Sequence, residues 1–161
     1  MANLTVTLQE QIKLPNNNIE STSNVKVISG VNQIVRRVDT ISTLFSGSGV
    51  EILKFVDSES QQTAGSFVKS DVKYIRISNL DSTNKSFIYL LKINDESVLF
   101  ELEAGKTLMF GNAEFNASGI GDYVVEGYVD EMYYSAFINF DTIKAKADTA
   151  DIQLEYFVAS S

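Results

Sequence analysis

Leu4, Val6, Leu8, Ile12 and Leu14 all fall at even positions, while Thr5, Thr7, Gln9, Gln11 and Lys13 fall at odd ones. Only Glu10 interrupts the apolar face. A period of two held this long predicts a strand or extended arm with one wet face. Pro15 and the run Asn16-Asn17-Asn18 end it.

Residues 24–45 pull in two directions. Val25 and Val27 alternate, but Val31, Ile34, Val35 and Val38 stand at helical spacing. All four are β-branched and lose rotamer freedom in a helix, so strands are the better reading. Residues 46–49, Ser-Gly-Ser-Gly, read as a turn, 50–56 as a strand and 57–65 as a polar surface loop. Further on, 72–77 is a strand and 79–84 its turn. Residues 86–93 are apolar on both faces, with Phe87, Tyr89, Leu91 and Ile93 on one side and Ile88 and Leu90 on the other, which suits a doubly covered strand. Residues 94–97 turn the chain, 98–103 alternate again, and Ala104-Gly105 precedes a strand at 107–110. The last third continues with a Gly-rich loop at 116–122 and strands at 123–129, 132–140 and 152–158. Ile152, Leu154, Tyr156 and Val158 line one face of the last.

The result is roughly nine to eleven short strands separated by turn residues, with no convincing helix. The fold class expected is all-β: an antiparallel β-sandwich or jelly-roll-like domain with an extended N-terminal strand or arm. A chain of 161 residues fits one domain, 1–161, with 1–15 as the possible arm. Such a length buries enough surface to fold without disulfides or metals. No apolar run approaches the length of a membrane-spanning helix, so no membrane partner is expected. The first residues have neither a basic nor an apolar leader segment, so no secretory signal is expected.

Composition narrows the chemistry. Cysteine and histidine are both absent. That removes Cys/His metal sites, cysteine nucleophiles and the Ser-His-Asp triad. The net charge is −8 and uneven: residues 1–80 carry eight Lys/Arg against seven Asp/Glu, and residues 81–161 five against fourteen. Without a basic stripe to meet phosphates, nucleic acid is not expected as a partner.

The remaining signals are modest. Asp95, Glu96, Glu101 and Glu103 could supply a hydrolytic carboxylate pair, and Asp122, Glu126, Asp130 and Glu131 could hold calcium. Neither group has a defining spacing, and both read as solvated strand faces and turns. Ser46 to Gly49 and Gly119-Ile120-Gly121 lack the Lys-Ser/Thr of a phosphate loop. Arg36-Arg37 reads as a strand rim. Tyr123, Tyr128, Tyr133, Tyr134 and Tyr156, with Phe137 and Phe140, concentrate aromatics near the C-terminus. They suit either a β core or a surface that stacks sugars or anchors a partner. No catalytic residue, metal or cofactor is expected, and the chain is not expected to be an enzyme.

One stretch carries a resemblance. Residues 74–81 read Tyr-Ile-Arg-Ile-Ser-Asn-Leu-Asp, 102–105 read Leu-Glu-Ala-Gly, and 150–152 read Ala-Asp-Ile. This layout resembles that of small structural proteins of tailed bacteriophages, especially marine ones. The match covers residues 65–110 and, more loosely, 147–159, with Lys106-Thr107 departing from the pattern. The resemblance implies a virion component assembled in the host cytoplasm and carries over no functional residue. The function it implies is that of a head decoration (cement) protein. Such a protein would form homo-oligomers and bind the major capsid protein or other virion proteins. A tail- or fibre-associated receptor- or carbohydrate-binding module is the alternative. The interface candidates are Leu4, Val6, Leu8, Ile12 and Leu14 on the arm, which could add a strand to a neighbour's sheet, and Tyr128, Tyr133 and Tyr134.

Overall fold

The computed structural model describes residues 2–15, 18–44, 49–91, 97–111 and 140–161. The expected strand at 123–129, the loop at 116–122 and all but the last residue of the expected strand at 132–140 lie outside the described residues. Within them the chain is all-β, and its two larger sheets are predominantly antiparallel. The even-position pattern at the N-terminus becomes β1 (Ala2–Lys13). The polar stretch after it becomes β2 (Ile19–Val31), paired antiparallel with β1 along its whole length. The expected lone arm is therefore a hairpin, with one edge of β1 already taken.

The competition between helix and strand over residues 31–38 resolves as β3 (Gln33–Ile41). Val31, Ile34, Val35 and Val38 come into helical spacing because they belong to three different surfaces. Val31 closes β2 and is buried with Ile28, Val35 packs against the core, and Ile34 and Val38 point outward. The remaining strands are β4 (Val50–Val56), β5 (Ser66–Val68), β6 (Val72–Asn79), β7 (Ser86–Leu91), β8 (Ser97–Leu102), β9 (Thr107–Gly111), β10 (Thr142–Ala147) and β11 (Ile152–Ser160).

Beyond the hairpin there are two sheets. One has the order β5-β4-β10-β7-β8 and the other β3-β11-β6-β9. The short β4–β5 pairing is parallel; the other pairings are antiparallel. A single apolar cluster draws on both sheets. Leu53, Phe55, Ile88, Leu90, Ile143 and Ala145 come from the first, and Ile41, Ile75, Ile77, Ile152, Leu154, Tyr156 and Val158 from the second.

Two sequence expectations need correcting. Residues 86–93 were expected to be covered on both faces, but β7 alternates between buried Ile88 and Leu90 and half-buried Phe87, Tyr89 and Leu91. Burial on both faces belongs to β11, where Leu154, Glu155 and Tyr156 are consecutively buried. Residues 142–147, Thr-Ile-Lys-Ala-Lys-Ala, carry no strand signal in the sequence, yet β10 is the middle strand of its sheet. Alanine is depleted in strands, so two of its three core-facing positions give almost no apolar signal.

The entry to β4 runs against the β10 backbone. Gly49, at φ +85°, enters β4 so close to β10 that an added Cβ would lie 2.1 Å from the Ala145 carbonyl oxygen. Nearby, Lys69 reaches from a 3₁₀ turn (Lys69–Asp71) to Asp57 (2.7 Å) and Asp141 (2.6 Å), tying the segment after β4 to the start of β10. Burial alone would depress the Lys69 ammonium's pKa, but the bonds to Asp141 and Asp57 outweigh it and leave the pKa raised.

The turn after β6 is built on side chains. Asn79, fully buried, donates to the carbonyls of Asn84 (2.8 Å) and Leu102 (3.2 Å) and accepts from the Asp81 N–H (3.0 Å). The Asp81 carboxylate accepts from the backbone of Asn84 (2.7 Å) and Thr83 (2.8 Å), and these bonds hold its pKa below the ordinary 3.8.

Two predictions follow from these contacts. Gly49→Ala combines left-handed strain with a backbone clash, and should cost about 3 kcal/mol or more in chemical denaturation; a loss under about 1 kcal/mol would mean that β4 and β10 are not this close. Asp81 has a folded pKa below its unfolded one, so its stabilisation is full above the unfolded value and is lost as pH falls through the folded value. The melting-temperature gap between the wild type and Asp81→Ala should therefore be open at about pH 6 and close by about pH 2. A gap that persists at the acid end would contradict this account.

Candidate functional site

The N-terminal hairpin and the sheet face beneath it form the candidate site. In the β1–β2 register, Leu4 sits opposite Ile28, Val6 opposite Lys26, Leu8 opposite Asn24 and Ile12 opposite Glu20. Directly opposed residues share a face, so the even residues of β1 form one side of a two-stranded ribbon. Twelve residues at about 3.3 Å each make it about 40 Å long.

Only the base of this ribbon is buried. Ile28 and Val31 pack with Tyr74 and Ala159, and Leu4, Val6 and Phe157 close over them. A bulge makes this possible. Asn3 pairs with Ser29 and Ala2 with Val31, leaving Gly30 as the extra residue at φ +73°. The inserted residue shifts the side-chain alternation, so Ile28 and Val31, three apart, both turn toward the body. Beyond the base the apolar stripe continues into solvent, with Leu8 44% and Ile12 60% exposed. Ile19, Val25 and Val27 are exposed as well. The Leu14 N–H donates to the Asn18 carbonyl (2.8 Å) across the turn, and Leu14 itself is half-buried.

The sheet face under the hairpin is polar and aromatic. Tyr74 and Phe157 meet edge to face at 6.0 Å, and the Arg76 guanidinium lies over Phe157 at 5.7 Å. Glu155 is only 7% exposed although it is a carboxylate. One of its oxygens accepts from Arg76 Nη2 at 2.8 Å and the other from Arg36 Nε. Burial pushes the Tyr74 hydroxyl's pKa up, against the opposing pull of Arg76. On the core side of the same strand, Tyr156 donates to Asp39 at 2.5 Å. Burial, followed by that bond, raises its pKa.

The structure brings Leu4, Val6, Leu8 and Ile12 onto one face, as the periodicity implies, and divides them into a buried base and an exposed tip. Tyr128, Tyr133 and Tyr134 lie outside the described residues, as do Asp95, Glu96, Asp122, Glu126, Asp130 and Glu131. Glu101 pairs with Lys85 on the surface. Among the described residues no group of three or more acidic side chains is placed to hold a metal ion, and no helix is long and apolar enough to cross a membrane. The Arg36–Glu155–Arg76 cluster was not visible in the sequence, because its members are far apart along the chain. Strand alternation that placed Glu155 opposite the Ile152, Leu154, Tyr156 and Val158 face was the available clue.

The chain matches no protein-family model, no curated protein and no solved structure.

Removing the shared carboxylate should be costly. Glu155→Ala leaves two arginines without their partner, one of them partly buried against Phe157. Allowing for the exposure of Arg36, the loss in urea unfolding should be about 2 kcal/mol. No measurable loss would mean that the cluster contributes only surface pairing.

Proposed function

We propose that this chain is a bacteriophage virion structural protein, a capsid decoration protein that works by binding neighbours through its hairpin arm. In this reading the two larger sheets form a jelly-roll-like β-sandwich, supported by the core cluster that they share. The partners are the major capsid protein or other virion proteins together with further copies of this chain, and the site of action is the assembled particle.

The observation that carries the reading is the ribbon itself. An isolated two-stranded hairpin is at best marginally stable in water. Here one about 40 Å long is buried only at its base, and its apolar stripe runs on into solvent at Leu8 and Ile12. An exposed apolar surface on an extended element is what a docking arm presents before it docks. The sequence resemblance over residues 65–110 supports the virion setting. Of the residues carrying it, Tyr74 packs under the arm, Arg76 pairs with Glu155 on the same sheet face, Ile77 joins the main core, and Asn79 and Asp81 shape the turn after β6.

Two measurements test this. Quantitative mass spectrometry of purified virions should find the chain at a stoichiometry comparable to the major shell protein; a few copies per particle would place it in the tail instead. The double substitution Leu8→Asp with Ile12→Asp, both at exposed positions, should leave the melting temperature within about 2 °C. It should weaken particle binding about tenfold or more. Undiminished binding would remove the arm from the interface.

A further inference from the structure

The hairpin tip offers a pattern for which the body offers the complement. Along the exposed face of β1 run Leu8, Glu10 and Ile12: apolar, negative, apolar. Along the outward face of β3 run Ile34, Arg36 and Val38: apolar, positive, apolar. Ile34 is 56% and Val38 50% exposed. β3 is the end strand of its sheet, with β11 on one side and no strand on the other among the described residues. It is nine residues long, the longest end strand of the two larger sheets, and contains no proline. Such an edge is a template for another strand unless something guards or covers it. β1 likewise has β2 on one side and no strand on the other among the described residues.

We propose that β1 of one copy adds edgewise to β3 of a second copy, antiparallel, with Leu8 opposite Val38, Glu10 opposite Arg36 and Ile12 opposite Ile34. This rests on the hairpin being an assembly arm and names its partner as a second copy of this chain. The register pairs apolar with apolar on both flanks and sets opposite charges face to face, the arrangement that stabilises cross-strand neighbours. Arg36 has the capacity for it. Its side chain is largely exposed, and Nε is the atom bonded to Glu155, while the guanidinium carries five donors in all. On the other face the same register sets Gln9 opposite Arg37 and Thr7 opposite Asp39, so each charged edge residue meets a polar side chain.

A parallel alignment would also set Glu10 opposite Arg36, but it covers the edge less well. Antiparallel, residues 5–13 of β1 span all nine residues of β3; parallel, β3 would run on past the end of β1 and bring Pro15 opposite Ile41. Proline has no N–H to contribute to the ladder, and antiparallel pairing is slightly the more stable per residue. Donor and acceptor are different surfaces, so the contact either closes reciprocally as a two-fold pair or runs head-to-tail into a ring or a chain of copies.

The chain has no cysteine, so the register can be read by cross-linking without background. Leu8→Cys and Val38→Cys variants are purified separately, mixed and mildly oxidised. The mixture should give a disulfide-linked heterodimer on a non-reducing gel, well above the homodimers that each variant forms alone. A mixture of Leu8→Cys with Ile34→Cys should not. In the same preparation Glu10→Arg should shift self-association, followed by light scattering, to about tenfold higher concentration while leaving the melting temperature unchanged. The proposal is overturned if Leu8 couples to Ile34 in preference to Val38, if neither mixture exceeds the homodimer background, or if Glu10→Arg associates like the wild type. Because the readout uses the purified chain alone, failure here with intact particle binding removes the self-addition and leaves the virion reading in place.

Discussion

Burial of β11 on both of its faces is the constraint from which the other features follow. Its inward side chains, Ile152, Leu154, Tyr156 and Val158, complete the apolar cluster shared by the two larger sheets. Its outward side chains, Glu155, Phe157 and Ala159, meet the two arginines and the hairpin base. On a strand buried on one side only, a carboxylate at position 155 would face water and need no partner. Covered on both sides, β11 can hold the Glu155 charge only because that charge is paired. Arg36 on β3 and Arg76 on β6 do this from the two strands that flank β11. The ion cluster thus bridges three neighbouring strands across the face on which the arm is seated.

That seating explains how a long ribbon can leave the body without the body losing stability. The ribbon's own hydrogen bonds hold β1 to β2, but a two-stranded ribbon gains little burial from itself. Tyr74, Phe157 and Ala159 provide the missing apolar surface for its first third, through Leu4, Val6, Ile28 and Val31. The remaining two-thirds have an apolar stripe that stays exposed at Leu8 and Ile12, with no surface to set it on among the described residues. The core and the proposed interface are therefore parts of one alternating pattern, cut where the body ends.

Much of this was legible in the sequence wherever a strand buries one clear face. The even-position stripe of β1 and the Ile152 to Val158 face of β11 could be read directly from spacing. β2 could not, because its exposed stretch of Glu, Ser, Thr and Asn has no buried side to imprint an apolar period. The arm therefore read as a single strand when it is half of a hairpin. β10 was silent for a different reason: its core positions include Ala145 and Ala147, small residues that give little apolar signal. The helical spacing at 31–38 comes from joining the end of β2 to the start of β3 across Asn32. For the candidate site, the stripe Leu8–Ile12 was visible, but the complementary Ile34–Arg36–Val38 acquires meaning only once β3 is known to be an end strand. Sequence alone places Arg36 on a strand, not on an edge.

The bulge has one more consequence, a matter of leverage. Gly30 sits where the ribbon joins the body, and its far turn is about 40 Å away. Rotating the ribbon about that point by about 7° carries its tip about 4.8 Å, the spacing between adjacent strands in a sheet. A rotation of that size is enough to move the tip from one strand position to the next. If the arm docks as proposed, the direction in which it reaches is set by the backbone angles of a single residue that has no side chain.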